Sequence, residues 1–167
     1  MLPQDLLIDG IGRSQEVAHG LVDELDAASL NRRPTDEANS ITWLVWHLAR
    51  QQDVQIADLA GAEQVWTRDG WAQRFGLDLP DESMGYGHTA ADAAKVRVDD
   101  PALLTGYLDA AVETTCAYLR DLDESSWDDV VDEDWDPPVT RASRLVSIVD
   151  DAAQHAGQAA YVRGLLA

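Results

Sequence analysis

The sequence predicts an all-α protein, an antiparallel four-helix bundle with its long connection between the second and third helices. Three observations carry that prediction. Four segments repeat apolar residues at intervals of three and four, as a helix with one buried face does. No segment alternates apolar and polar residues convincingly enough to be a strand. The length, 167 residues with six Trp and a 46% apolar fraction, suits one domain over residues 1–167 built around one core.

The first pattern runs from about Gln4 to Ala28, with Leu7, Ile11, Ala18, Leu21, Val22 and Leu25 among its apolar members and Gly10, Gly12 and Gly20 weakening it. His19 reads as a surface or capping residue. Pro34 marks a connection, because it lacks a backbone donor and disfavours helical angles at Arg33. Asn39 or Ser40 then caps a second helix that continues to about Ala60. Its apolar face holds Ile41, Leu44, Val45, Leu48, Ile56 and Leu59, and His47 lies on that side with Gln51 one turn further on.

Residues 61–100 are irregular, punctuated by Gly70, Gly76, Pro80, Gly85 and Gly87, with a turn of helix expected near Gly70–Phe75 and another at Ala90–Arg97. A connection of this length usually has a functional role, and its aromatics need a surface to pack on. It is expected to cover one end of the core, near the mouth of a site. His88 reads as a turn residue. Asp100 followed by Pro101 starts a third helix, with Leu104, Leu108, Ala111, Val112, Thr115 and Leu119 on its buried side and an end near Asp121. Nine of the sixteen residues from Asp121 to Asp136 are acidic, but they lack the ligand order of a calcium loop and read as a solvated connection with Trp127 and Trp135 as anchors. Thr140 caps the fourth helix, which extends to Leu166.

The formal charge of −19, without a basic cluster, argues against nucleic acid as a partner. No apolar run reaches the ~18 residues that a membrane span requires, and no export signal marks the N-terminus, so a cytoplasmic protein is expected. The single cysteine, Cys116, sits in an apolar helical pattern and reads as buried filling.

Chemistry concentrates in the fourth helix. Leu145, Ile148, Ala152, His155, Ala159, Val162 and Leu166 form its inward seam, in which His155 is the polar member, and Asp151 precedes it by one turn. Two donors at i and i+4 are how a helix offers a pair of ligands to one ion. His47 supplies a third from a facing helix, giving two imidazoles and a carboxylate. That set suits a zinc site with an open position, although nickel, manganese and iron also accept it. Gln51 and Gln158, each near a ligand histidine, are candidate substrate-binding residues. Arg50 and Arg163 are read as solvent-facing charges, with the holding of an anionic substrate group as the alternative for both.

The stretches Asn39–Leu48 and Arg144–Leu166 resemble the DinB-like superfamily, in particular its mycothiol-related branch of unknown function, and the resemblance extends over nearly the whole chain, including Trp66–Leu77 and Trp135–Val139. It implies an up-down-down-up bundle, frequently a homodimer, with a divalent metal held by one His of the second helix and two ligands of the fourth. His47 and His155 match the first and last of these, while Asp151 stands where relatives have His or Glu and Asp150 could compete with it. The resemblance further implies a thiol S-transferase or isomerase acting on a low-molecular-weight thiol of the mycothiol or bacillithiol type and a small electrophile. Its maleylpyruvate isomerase members carry a further C-terminal domain, so that activity is not expected of a sequence ending after the fourth helix. A non-catalytic metal-binding or stress-related bundle remains the alternative, and a bundle with a merely structural His/Asp cluster is a third.

Overall fold

The structure, a computed structural model, describes residues 2–167. Four long helices carry it: α1 (Pro3–Glu24), α3 (Ile41–Ala60), α7 (Ala102–Asp121) and α8 (Arg141–Leu166). α3 packs on α7 and α8, and α1 packs on the same two, so the apolar faces close on one another around a shared core. Ile11, Leu44, Leu48, Leu108, Leu119 and Ile148 are among its fully enclosed members. Burying a side chain of this size contributes about 1.5–3 kcal/mol.

Most boundaries follow capping chemistry. Ser40 Oγ accepts from Trp43 N at 3.1 Å to start α3, and Thr140 Oγ1 accepts from Ser143 N at 3.2 Å to start α8. Asp100 Oδ1 accepts from Ala102 N at 2.9 Å, but the helix begins one residue later than the sequence implies. The first helix stops at Glu24 rather than Ala28, because Asp26 caps a separate turn, α2 (Ala27–Leu30), by accepting from Ser29 N at 2.8 Å.

The long connection holds three short helices, α4 (Val65–Arg68), α5 (Trp71–Phe75) and α6 (Ala90–Ala93). α5 lies where the sequence places it, α6 covers only the first part of the expected Ala90–Arg97 turn, and α4 is unforeseen. The segment folds against α3 and α7, and Trp66 and Trp71 are buried there. Those tryptophans therefore do not form the exposed aromatic surface that would favour a dimer; Trp135, 66% exposed, does remain on the surface. The expectation of no strands also needs correcting. Val130–Asp132 (β1) and Val139–Thr140 (β2) pair antiparallel across the acidic connection. They are too short to give a periodic signal. Among the described residues, no helix is long and apolar enough to cross a membrane.

Because the connection covers the outer side of α3, every residue from Ile41 to Asp53 is buried, polar ones included. Arg50 is 0% exposed, which overturns the solvent-facing reading of it. A buried guanidinium needs partners on all sides, and it has them. Nε donates to Ser83 O at 3.0 Å, Nη2 to Asp81 O at 3.4 Å, and Nη1 to Gln64 Oε1 at 3.0 Å and Tyr107 OH at 3.2 Å. Asp53 lies 3.5 Å away and accepts from Val65 N, Trp66 N and the Tyr107 hydroxyl, each at 2.8 Å. This network fastens the connection to α3 one turn beyond His47.

Candidate metal centre

His47 and Gln51 come from the inward side of α3, Asp151 and His155 from the facing side of α8. The two imidazole rings meet edge to face with centroids 4.5 Å apart, and one donor atom from each of His47, Asp151 and His155 lies within 4.8 Å of the others. His155 Nε2 stands 3.5 Å from Asp151 Oδ1. Donors bound at ~2.1 Å to one ion stand about 3.4 Å apart in a tetrahedron. The α8 pair already has that spacing, and His47 offers a donor atom within 4.8 Å of both.

The hydrogen bonds decide which atoms face the centre. His47 Nδ1 donates to the Met84 carbonyl, and His155 Nδ1 donates to Gln158 Oε1 at 2.9 Å. Both acceptors are carbonyl oxygens, so each ring keeps its hydrogen on Nδ1 and presents the Nε2 lone pair, the arrangement by which outer partners orient metal-ligating histidines. Asp151 Oδ2 is buried without a hydrogen-bond partner. A carboxylate oxygen withdrawn from water and unpaired is costly, and a cation shared with the two imidazoles would satisfy it. The residues fit a divalent ion. Asp150, the competing carboxylate, is exposed and accepts from Gln154 Nε2 at 2.7 Å instead.

Trp43, one turn before His47, forms one wall. Its ring stacks on His47 with centroids 4.7 Å apart and meets His155 edge-on at 6.1 Å. Trp43 Nε1 donates to His88 Nδ1 at 3.1 Å, and His88 Nε2 donates to Ser83 Oγ at 2.7 Å. His88 thus spends both nitrogens holding Trp43 and lies outside the donor group. Burial pushes its pKa down, consistent with a neutral ring. Burial also lowers His47, an effect reinforced by His155 and partly offset by the Met84 carbonyl and Asp151. Burial works against protonation of His155 too, but the hydrogen bond and charge of Asp151, with Gln158, outweigh it and raise that imidazole.

The centre opens into a cleft of about 610 Å³ bordered by Gln51, Gln55, Gln64, Met84, Tyr86 and Arg144. Gln51 is buried and ties α3 to α8 by donating to the Ile148 carbonyl at 3.3 Å. Arg163 is not brought to this cleft: it pairs with Glu24 and borders a different cavity with Leu25 and Ile41. His19 joins α1 to α7 through Asp109, 2.6 Å away. Cys116 is buried and its thiol is pushed up by burial, so it is filling, as expected, and not a nucleophile.

Sequence reasoning missed Trp43, Met84 and Gly85, and it gave His88 as the turn residue it is without its support of Trp43. Trp43 carries a usable signal, its i−4 relation to His47. The other three lie in an irregular segment where no periodicity reveals what they touch.

A search of curated proteins returns no match. Among solved structures, a conserved protein from Enterococcus faecalis superposes with a TM-score of 0.95 at 41% identity, over 99% of this chain and 98% of that one. The family model for mycothiol-S-transferase matches residues 7–167. The chain belongs to the mycothiol-S-transferase family, a part of the DinB-like superfamily.

Proposed function

We propose that this protein is a metal-dependent thiol S-transferase, with His47 Nε2, His155 Nε2 and Asp151 as the ligands of one divalent ion, zinc in the first instance. The observation that carries the reading is the unpaired, buried Asp151 Oδ2 beside two imidazoles whose other nitrogens are already held by carbonyl oxygens. When bound, such an ion supplies the Lewis acidity that lowers the pKa of an incoming thiol toward neutrality. Three protein donors leave a position for that sulfur. The chain's own part is to orient the donors, to shield one side with Trp43, and to keep the cleft open on the other. Gln158 fixes the His155 ring, and Gln51 lines the path by which a substrate reaches it.

The thiol is of the mycothiol type and its partner a small electrophile. The four long helices form one up-down-down-up domain, working in the cytoplasm as a homodimer. The test is to load the purified protein with zinc and follow thiol loss with mycothiol and a fluorogenic bimane electrophile. Consumption above the uncatalysed rate that disappears in His47→Ala supports the reading. Metal binding without thiol consumption across a panel of electrophiles would instead favour the non-catalytic alternative.

A further inference from the structure

The turn that runs from Met84 to His88 is pinned beside the metal centre at both ends. His47 Nδ1 donates to the Met84 carbonyl, and the backbone of Gly85 lies against the same ring. At the far end, His88 accepts from Trp43 Nε1 at 3.1 Å and donates to Ser83 Oγ at 2.7 Å. His88 N donates to Gly85 O at 3.1 Å, and Gly87, the third residue of the turn so closed, has a φ of +73°, the pattern of a type II turn. Tyr86 is left at the tip. It borders the cleft, yet it is 90% exposed.

A ring so exposed adds little to folding, so the pinned backbone places it without burying it. Of the described residues bordering the cleft, Tyr86 is the one Phe, Tyr or Trp. The helices contribute the amides of Gln51 and Gln55 and the Arg144 guanidinium, whereas the turn contributes the Met84 thioether and this ring. Both suit a flat apolar group. A thioether packs well on aromatic rings, and a tyrosine offers a large, rigid contact area at small entropic cost.

We infer that Tyr86 is a specificity-determining residue: its ring lies against a planar apolar group of the electrophile, next to the carbon that the thiol attacks. The inference rests on the thiol-transfer reading given above. In that step the thiol gives up its proton and a C–S bond forms. The bond from the same carbon to its leaving group breaks, and the electron pair departs with that group, a chloride in the probes below.

Zinc-loaded protein is assayed with mycothiol and two electrophiles that each lose chloride: monochlorobimane, which carries a flat bicyclic ring, and chloroacetamide, which carries none. The ratio of their kcat/KM values cancels whatever the two reactions share. In Tyr86→Ala that ratio is expected to fall about tenfold, the size of one aromatic contact, through a higher KM for monochlorobimane. Tyr86→Phe, which keeps the ring, holds the wild-type ratio. Because the side chain is exposed, both variants keep the wild-type urea midpoint, which circular dichroism checks. Equilibrium dialysis with syn-(methyl,methyl)bimane, which has no leaving group, reads binding without turnover: its Kd rises about tenfold in Tyr86→Ala and stays unchanged in Tyr86→Phe. An unchanged ratio or an unchanged Kd in Tyr86→Ala overturns the inference. So does a loss in Tyr86→Phe equal to that in Tyr86→Ala, which assigns the effect to the hydroxyl and not to the ring. Wild-type protein that consumes no thiol with either electrophile is a separate result, which overturns the thiol-transfer reading and this inference with it.

Discussion

Gly85 is where the backbone of the long connection comes against the His47 ring. Its φ of +102° lies where side chains are strained, and a Cβ there would overlap His47 Nδ1 and reach 3.1 Å from Trp43 Cζ2. Backbone strain and overpacking together put the cost of Gly85→Ala at about 3 kcal/mol. Because the displaced group is a proposed metal ligand, metal affinity is expected to fall at least tenfold; urea unfolding and a chelator competition would measure the two losses. The histidines themselves predict a pH dependence. The raised His155 keeps its proton to higher pH than an ordinary imidazole, near 6.5, and must release it to bind metal. Affinity should therefore weaken as pH falls, with the onset above the range in which an ordinary imidazole titrates, and with proton uptake or release visible when calorimetry is repeated in buffers of different ionisation enthalpy. The same sign follows for the apo protein from His47: its pKa is lowered on folding, so the unfolded chain binds more protons and stability is lost as pH drops below about 6.5. Apo His155 acts in the opposite sense, gaining stability in acid.

At the scale of elements, α3 and the connection that covers it behave as a unit. Arg50 joins them, and removing a buried, paired charge leaves its partners unsatisfied. Arg50→Met is expected to destabilise by about 3–5 kcal/mol and to loosen the Ser83–Met84 segment that orients His47, which metal affinity would reveal. Thr140→Ala offers a contrast. It removes the α8 cap for about 1 kcal/mol, and, lying about three turns before Asp151, it should leave metal affinity as it was. How far these elements were legible in the sequence follows from their physics. The long helices were readable because burial of one face imposes a period. That His47, Asp151 and His155 come together was readable because the two histidines interrupt that period on its apolar side and Asp151 lies one turn before His155. Arg50 was misread for a related reason: α3 is buried all round from Ile41 to Asp53, so a helix-face argument that assigns one side to solvent fails there. The Met84 carbonyl, Gly85 and His88 act through backbone conformation and long-range pairing, which no local pattern encodes.

Over the whole molecule, the helical scaffold brings donors from distant parts of the chain to one point and leaves a buried carboxylate oxygen unpaired there, where we propose a cation binds. Binding to the native state alone stabilises it by mass action, about 2.7 kcal/mol at a free-ion concentration of one hundred times Kd. For a chain of this size that corresponds to a Tm rise of about 5–10 °C, reversed by a chelator.

Metal analysis of the purified protein after exhaustive dialysis bears on the central claim most directly. One tightly held divalent ion per chain is expected in the wild type, and none in His47→Ala or Asp151→Asn with the helical circular dichroism of each variant preserved. A dialysed wild type that holds no ion and takes none up, or variants that keep a full equivalent, would contradict it.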